Sequence, residues 1–97
     1  MTQAPQPHIA DNPQQHRFEV RLGEQLAAQA QYRLQGGTIV FTHTEVDPQF
    51  EGKGLGSKLA QYALDDVRGR QLKVVAQCEF IAKYIERHPE YASLLVS

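Results

Sequence analysis

A lone cysteine, Cys78, is all the thiol chemistry available, which excludes an internal disulfide. With four scattered histidines it forms no zinc-ligand spacing, so no metal is expected and a reducing compartment is the simplest reading. Long apolar runs are missing as well: no stretch approaches the roughly 18 to 20 residues that a membrane-spanning helix requires. The opening Met-Thr-Gln-Ala-Pro-Gln-Pro-His lacks the basic head and apolar core of a signal peptide, so the expected location is cytoplasmic, with no membrane partner. There is no surplus of positive charge. Ten Lys and Arg stand against eleven Asp and Glu, which argues against phosphate-driven binding of nucleic acid. What is present, 97 residues of which 41% are hydrophobic, suffices for one small domain with a modest core, to whose stability a bound ligand would matter.

Composition shifts near residue 16. Residues 1–15 hold Pro5, Pro7 and Pro13, four glutamines and only Ile9 as a sizeable aliphatic, and the expectation is a disordered tail ahead of a domain over residues 16–97. Period two then sets in, with Phe18, Val20 and Leu22 opposing Arg17, Glu19 and Arg21. After a turn at Gly23-Glu24, the alternation of Leu26, Ala28, Ala30, Tyr32 and Leu34 predicts a second strand, although the alanines would also suit a helix. Beyond Gly36-Gly37, the β-branched run Thr38 to Val46 predicts a third. Turns this short impose an antiparallel meander. Asp47-Pro48 ends it, and past a glycine loop Leu55, Leu59, Ala60, Ala63, Leu64 and Val67 recur at helical spacing up to Gly69, a candidate left-handed cap. Leu72 to Ala76 has strand length, and Phe80, Ile81, Tyr84 and Ile85 mark a second helix ending before Pro89. The result is an α+β fold in which the crossover from residue 38 to 76 makes its two strands parallel.

The loop Glu51-Gly52-Lys53-Gly54-Leu55-Gly56-Ser57 joins a strand to a helix. Glycines there allow close backbone approach, and the free amides of the first helical turn attract anionic oxygens, with Lys53 and Lys58 at the rim. A Walker A reading fails because Lys53 is followed by Gly54 and position 47 is Asp. The dinucleotide fingerprint fails because the glycines are spaced by two and follow a meander. A plain chain-reversing turn would need fewer glycines.

Glu51-Gly52-Lys53-Gly54-Leu55-Gly56 resembles the pyrophosphate loop Gln/Arg-x-x-Gly-x-Gly/Ala of the GNAT superfamily of acyl-CoA-dependent N-acyltransferases, departing only at Glu51. The resemblance spans roughly residues 16 to 97 and is greatest to the minimal members of about a hundred residues. Phe41-Thr42-His43-Thr44-Glu45-Val46 and Cys78-Glu79-Phe80-x-x-x-Tyr84-x-x-x-His88-Pro89-Glu90-Tyr91 look like that subfamily's signatures. It implies a GNAT-like fold, acetyl-CoA as co-substrate and transfer to an amine of a small molecule or a protein. It further implies that Gly52, Lys53, Gly54, Leu55, Gly56 and Ser57 hold the CoA pyrophosphate, while the strand ending at Val46 bonds the pantetheine arm. A CoA-binding module without turnover, or an interaction domain binding only stray anions, is the competing expectation.

Four side chains are candidates for the chemistry. Period two puts His43 and Glu45 on one face with Phe41, just before the loop, where either could take a proton, or could serve only as a sheet histidine and a solvated strand end. Cys78 stands at the expected start of the second helix, whose positive end favours a thiolate. It is read as a nucleophile, as the donor that protonates departing CoA, or as a small buried residue. Tyr84 shares a helix face with His88 and is a further candidate for the thiol's general acid, though its neighbours suggest core.

Overall fold

Alternation of apolar and polar side chains makes strands of the first half of the chain, and helical spacing takes over after the glycine loop. In the computed structural model, which describes residues 6–96, the elements are β1 (Pro7–Asn12), β2 (Arg17–Leu22), β3 (Gln25–Gln35), β4 (Thr38–Val46), α1 (Leu55–Gly69), β5 (Lys73–Ala76) and α2 (Glu79–Arg87). They build a five-stranded sheet in the order β1-β2-β3-β4-β5. The first four strands are antiparallel neighbours, and β4 and β5 run parallel, as the right-handed crossover through α1 requires.

One sheet face carries the core. Phe18, Val20, Ala28, Ala30, Tyr32, Ile39, Phe41 and Val74 are buried there under Leu59, Ala63, Leu64 and Val67 of α1 and Ile81 and Ile85 of α2. Leu34, expected to continue the apolar row of β3, is 50% exposed. It lies at the far end of the β3–β4 hairpin, paired with Ile39 close to the Gly36-Gly37 turn.

The segment expected to be a disordered tail is corrected in part. Residues 1–5 lie outside the described residues, whereas Pro7–Asn12 pairs with β2 along its whole length, so the ordered unit begins before residue 16. Ile9 is half-buried against the core, and polar bonds supply the rest. Asp11 takes the Tyr32 hydroxyl at 2.6 Å and the Arg70 guanidinium, which also pairs with Asp66 at 2.8 Å. Asn12 donates to Glu19 at 3.1 Å. Pro7 and Pro13 are tolerated because β1 is an edge strand and Pro13 sits in the following turn. Helix α1 ends at Gly69 as expected, but the left-handed cap is corrected: the residue with positive φ is Gln71, at 60°.

Two buried phenols tie distant elements to α1 or its end. Tyr91, in the 3-10 turn Pro89–Leu94, donates to Asp65 at 2.7 Å and lies beneath Arg68. Burial, then the bond to Asp65, pushes the Tyr91 phenol up to about 12, and burial with Asp11 pushes Tyr32 up as well. Both are raised above an unfolded value of about 10. Their contribution to stability is therefore complete below about pH 10 and is lost as pH rises through the folded values. Urea midpoints should fall between about pH 10 and pH 12, and should fall less steeply in the Tyr32→Phe/Tyr91→Phe double variant, whose folded and unfolded states then bind equal numbers of protons at these positions.

Candidate functional site

The site begins with an extra residue in β4. Tyr32 pairs with Phe41 and Gln31 with His43, so Thr42 is bulged out of the β3–β4 ladder. A bulge bends a strand and changes which side chains follow the core face. Here Thr44 and Val46 continue the row of Phe41, opposite Ala30 and Ala28, and His43 and Glu45 turn to the other face, opposite Gln31 and Gln29. The expectation that Phe41, His43 and Glu45 share a face is thereby corrected.

At the same point β4 and β5 part. Their ladder ends at Phe41 and Ala76, and the Phe41 carbonyl accepts both the Gln77 and the Cys78 amide at 3.0 Å. Among the described residues, Thr42–Val46 have no strand partner on that side. The Cys78 thiol bridges the base of the opening, donating to Thr44 Oγ1 at 3.0 Å. Cys78 is the N-cap of α2, is 6% exposed and caps with no side-chain bond of its own.

The groove continues to the glycine loop. A cavity of about 390 Å³ is lined by Thr44, Glu45, Val46, Phe50, Glu51, Gly52, Gly54 and Phe80, with Leu55, Gly56 and Ser57 at the helix end, so that two carboxyl residues, Glu45 and Glu51, stand at its rim. Gly52 (φ +83°) and Gly54 (φ +74°) are left-handed, and a Cβ on either would meet open space, which leaves the backbone bare toward the cavity. The first intrahelical bond of α1 runs from the Lys58 amide to the Gly54 carbonyl at 3.1 Å. The amides of Leu55, Gly56 and Ser57 precede it and are free donors, and no acidic side chain occupies the first turn. This is a cradle with the chemistry to hold a pyrophosphate. Val46, Gly52, Gly54, Leu55, Gly56 and Ser57 thus border one cavity, whereas Lys53 lies in a neighbouring one with Lys58 and Pro7.

Gly56 has a different task. A Cβ there would lie 2.6 Å from Cζ of Phe80, whose ring seats on the helix start. Because the contact is the far end of a partly exposed side chain that can swing aside, Gly56→Ala should cost no more than about 1 kcal/mol in urea unfolding, and adding Phe80→Ala should relieve the contact. Phe80, read from its spacing as core, is 39% exposed at the groove's wall. Thr44 and Phe50 also line the groove unforeseen. Phe80 was within reach of sequence reasoning, two residues past Cys78 on the same helix, but the inward turn of Thr44 depends on the bulge.

The four candidate side chains divide into three places. Cys78 is buried behind the groove and reaches it through its bond to Thr44. His43 and Glu45 form a pair on the opposite face, Nε2 to Oε2 at 3.2 Å, both more than half exposed. Tyr84 stacks on His88 at 4.0 Å and borders a separate cavity of about 170 Å³ with Ser57, Phe80, Lys83 and Arg87. Burial pushes its phenol up, and Asp65 and Glu90 add to that. Neither Cys78 nor Thr44 lines this cavity, so the structure does not bring Tyr84 to the thiol end of the groove. No group of three His, Cys, Asp or Glu able to hold a metal occurs among the described residues, and no helix of theirs is long and apolar enough to cross a membrane.

The chain is similar to known proteins. The sequence model of the GCN5-related N-acetyl-transferase family matches residues 17–94. Protein NATD1 of mouse is 38% identical over 83 residues, covering 84% of this chain and 76% of that protein. Protein NATD1 of human is 37% identical over 83 residues, 84% of this chain and 74% of that protein. A solved structure of a GCN5-like protein from Staphylococcus aureus superposes with a TM-score of 0.71 at 24% identity, covering 93% of this chain and 88% of that one, and so shares the fold. With the family's sequence pattern running from β2 through the turn after α2, this chain belongs to the GCN5-related N-acetyltransferase family.

Proposed function

We propose that the protein transfers the acetyl group of acetyl-CoA to an amine. The observation that carries this reading is a groove running from the bare glycine backbone at the start of α1 to Thr44, whose hydroxyl meets the Cys78 thiol where β4 and β5 part. Acetyl-CoA, when bound, supplies the activated thioester. The amides of Leu55, Gly56 and Ser57 hold its pyrophosphate, and the unpaired edge of β4 toward Val46 offers backbone bonds to an amide-bearing arm.

Two proton-handling groups stand on opposite faces of the sheet. His43, supported by Glu45, takes the proton that the acceptor amine loses as its nitrogen bonds the acyl carbon. On the groove side the Cys78 thiol gives its proton to the departing CoA sulfur, and it regains one from solvent. The buried thiol is already donating, to Thr44, which favours this role over that of a free nucleophile. Tyr84, outside the thiol end, serves the nucleotide side of the groove by packing beside Ser57 and Phe80.

The test is to incubate the protein with acetyl-CoA and a panel of primary amines and lysine peptides while following free CoA thiol. Cys78→Ser should lower kcat by about 10²-fold or more with acetyl-CoA affinity retained. Binding without release of thiol for any amine would favour the CoA-binding module. An acetyl thioester on Cys78 in intact-mass spectra would overturn direct transfer in favour of an acyl-enzyme.

A further inference from the structure

The open face of the sheet carries an unbroken chain of side-chain hydrogen bonds that ends at His43. Glu19, buried to 7% exposure, is the anchor. Burial pushes its carboxyl up, but hydrogen bonds from Arg17, Arg21 and Asn12 outweigh this and hold it below its ordinary value, so it remains ionised. Arg17 Nε donates to Glu19 Oε2 at 2.6 Å, and its Nη1 donates to Gln29 Oε1 at 3.3 Å. Gln29 Nε2 then donates to Glu45 Oε1 at 2.9 Å, and the other oxygen of Glu45 faces His43 Nε2 at 3.2 Å.

Every orientation in this chain follows from what its ends can do. A guanidinium only donates and a carboxylate only accepts, so the Gln29 amide must turn its oxygen to Arg17 and its nitrogen to Glu45. By the same logic the His43 nitrogen facing Glu45 must carry a hydrogen, which leaves Nδ1 as the one with a free lone pair. Glu45 alone does not secure this. Its side chain is 56% exposed on a strand end, free to sample solvent, and the bond that fixes its second oxygen comes from its cross-strand partner Gln29. The other charged or titratable side chains on this face include Arg17 and Arg21, both turned to Glu19, His8 opposite Arg21, Arg33 farther along β3 and Lys73 on β5.

We infer that Gln29 is a positioning residue for acetyl transfer: by holding Glu45 it fixes neutral His43 as the Nε2–H tautomer, so that Nδ1 is the atom that accepts the amine's proton. The inference rests on reading His43 as the base, and its test separates the two. In protein labelled with ¹⁵N at histidine, with the His43 signals identified by their loss in His43→Ala, the ring is observed at alkaline pH, where imidazole is neutral. His43 should show one tautomer, protonated on Nε2. Gln29→Met, which keeps the size and removes the donor, and Gln29→Glu, which keeps the acceptor for Arg17, should each lose the single-tautomer signal and show a mixture of the two neutral tautomers. Glu45→Gln, whose amide oxygen turns to Gln29 and whose N–H faces His43, should shift the ring toward the Nδ1–H form. With an amine that turns over, Gln29→Met should lower kcat by roughly tenfold with KM for acetyl-CoA unchanged. A wild-type tautomer signal in both Gln29 variants, or a mixed signal in the wild type, would overturn the inference. The expected tautomers together with full activity in His43→Ala would leave Gln29 as the holder of the pair and instead overturn His43 as the base.

Discussion

Gly54→Glu should raise the dissociation constant for CoA by on the order of 100-fold, equivalent to about 2.7 kcal/mol, while the domain stays folded. The two halves of this expectation have separate causes. In the free protein a side chain at Gly54 meets nothing within 4 Å, so no packing is lost. Its φ of +74° makes any other residue strained, at roughly 1–2 kcal/mol. A domain of this length would register that as a fall in Tm of several degrees, about 4–8 °C for each kcal/mol. The open space that spares the fold is the space the ligand's phosphates would use. A carboxylate placed there also competes for the Leu55, Gly56 and Ser57 amides. Gly54→Ala carries the same strain without the charge and should weaken binding much less. Calorimetric titration of both variants checks this, and wild-type affinity in Gly54→Glu would remove the loop from the ligand site.

The largest loss of stability should come from Phe41→Ala, about 3–5 kcal/mol in urea unfolding. Total stabilities are about 5–15 kcal/mol, so this variant would sit near the edge of folding. Phe41 is fully buried, its ring centroid 6.1 Å from Phe18 and 6.4 Å from Tyr32, with Ala30, Thr44 and Val74 among the residues of the same face. Its position compounds the effect, because its carbonyl receives the two amides that terminate the β4–β5 ladder and launch α2. Leu34→Ala, half-exposed at the hairpin end, should change stability by no more than about 0.5 kcal/mol. A loss below about 1 kcal/mol for Phe41→Ala would contradict the placement of the core.

Much of the fold could be read from periodicity, because strands β2 to β4 and helix α1 bury one face against a single core and their sequences repeat accordingly. The α+β order, the meander and the parallel β4–β5 pair followed from turn lengths and crossover handedness. Strand β1 escaped because its place depends on partners far along the chain: Arg70 on α1's C-cap and Tyr32 on β3 offset what Ile9 alone does not supply. Composition counts apolar residues and cannot see a distant guanidinium. Gly69 does mark the end of α1, but the left-handed turn expected of it falls two residues later, on Gln71.

In the site, the glycine loop was legible because three alternating glycines between a strand and a helix have few structural uses. The faces of β4 were not. A bulge at Thr42 inserts one residue without any glycine or proline to mark it, and a one-residue slip sends every later side chain to the other side. His43 and Glu45 were therefore found as a pair but assigned to the face of Phe41, and Thr44 was passed over. Cys78 was correctly set at the start of α2, while its bond to Thr44 depends on a strand divergence that no local pattern encodes.

Thermal melting of the purified protein against acetyl-CoA, CoA and pyrophosphate tests the central claim, that the groove from the loop to Cys78 is built for an acyl-CoA. Ligand at a hundredfold over its Kd adds about 2.7 kcal/mol, which for a domain of this size raises Tm by on the order of 10 °C. A rise of that size with acetyl-CoA and CoA, and little with pyrophosphate, is the result predicted here. No rise, or an equal rise with pyrophosphate, would contradict it and reduce the loop to an anion site on an interaction domain.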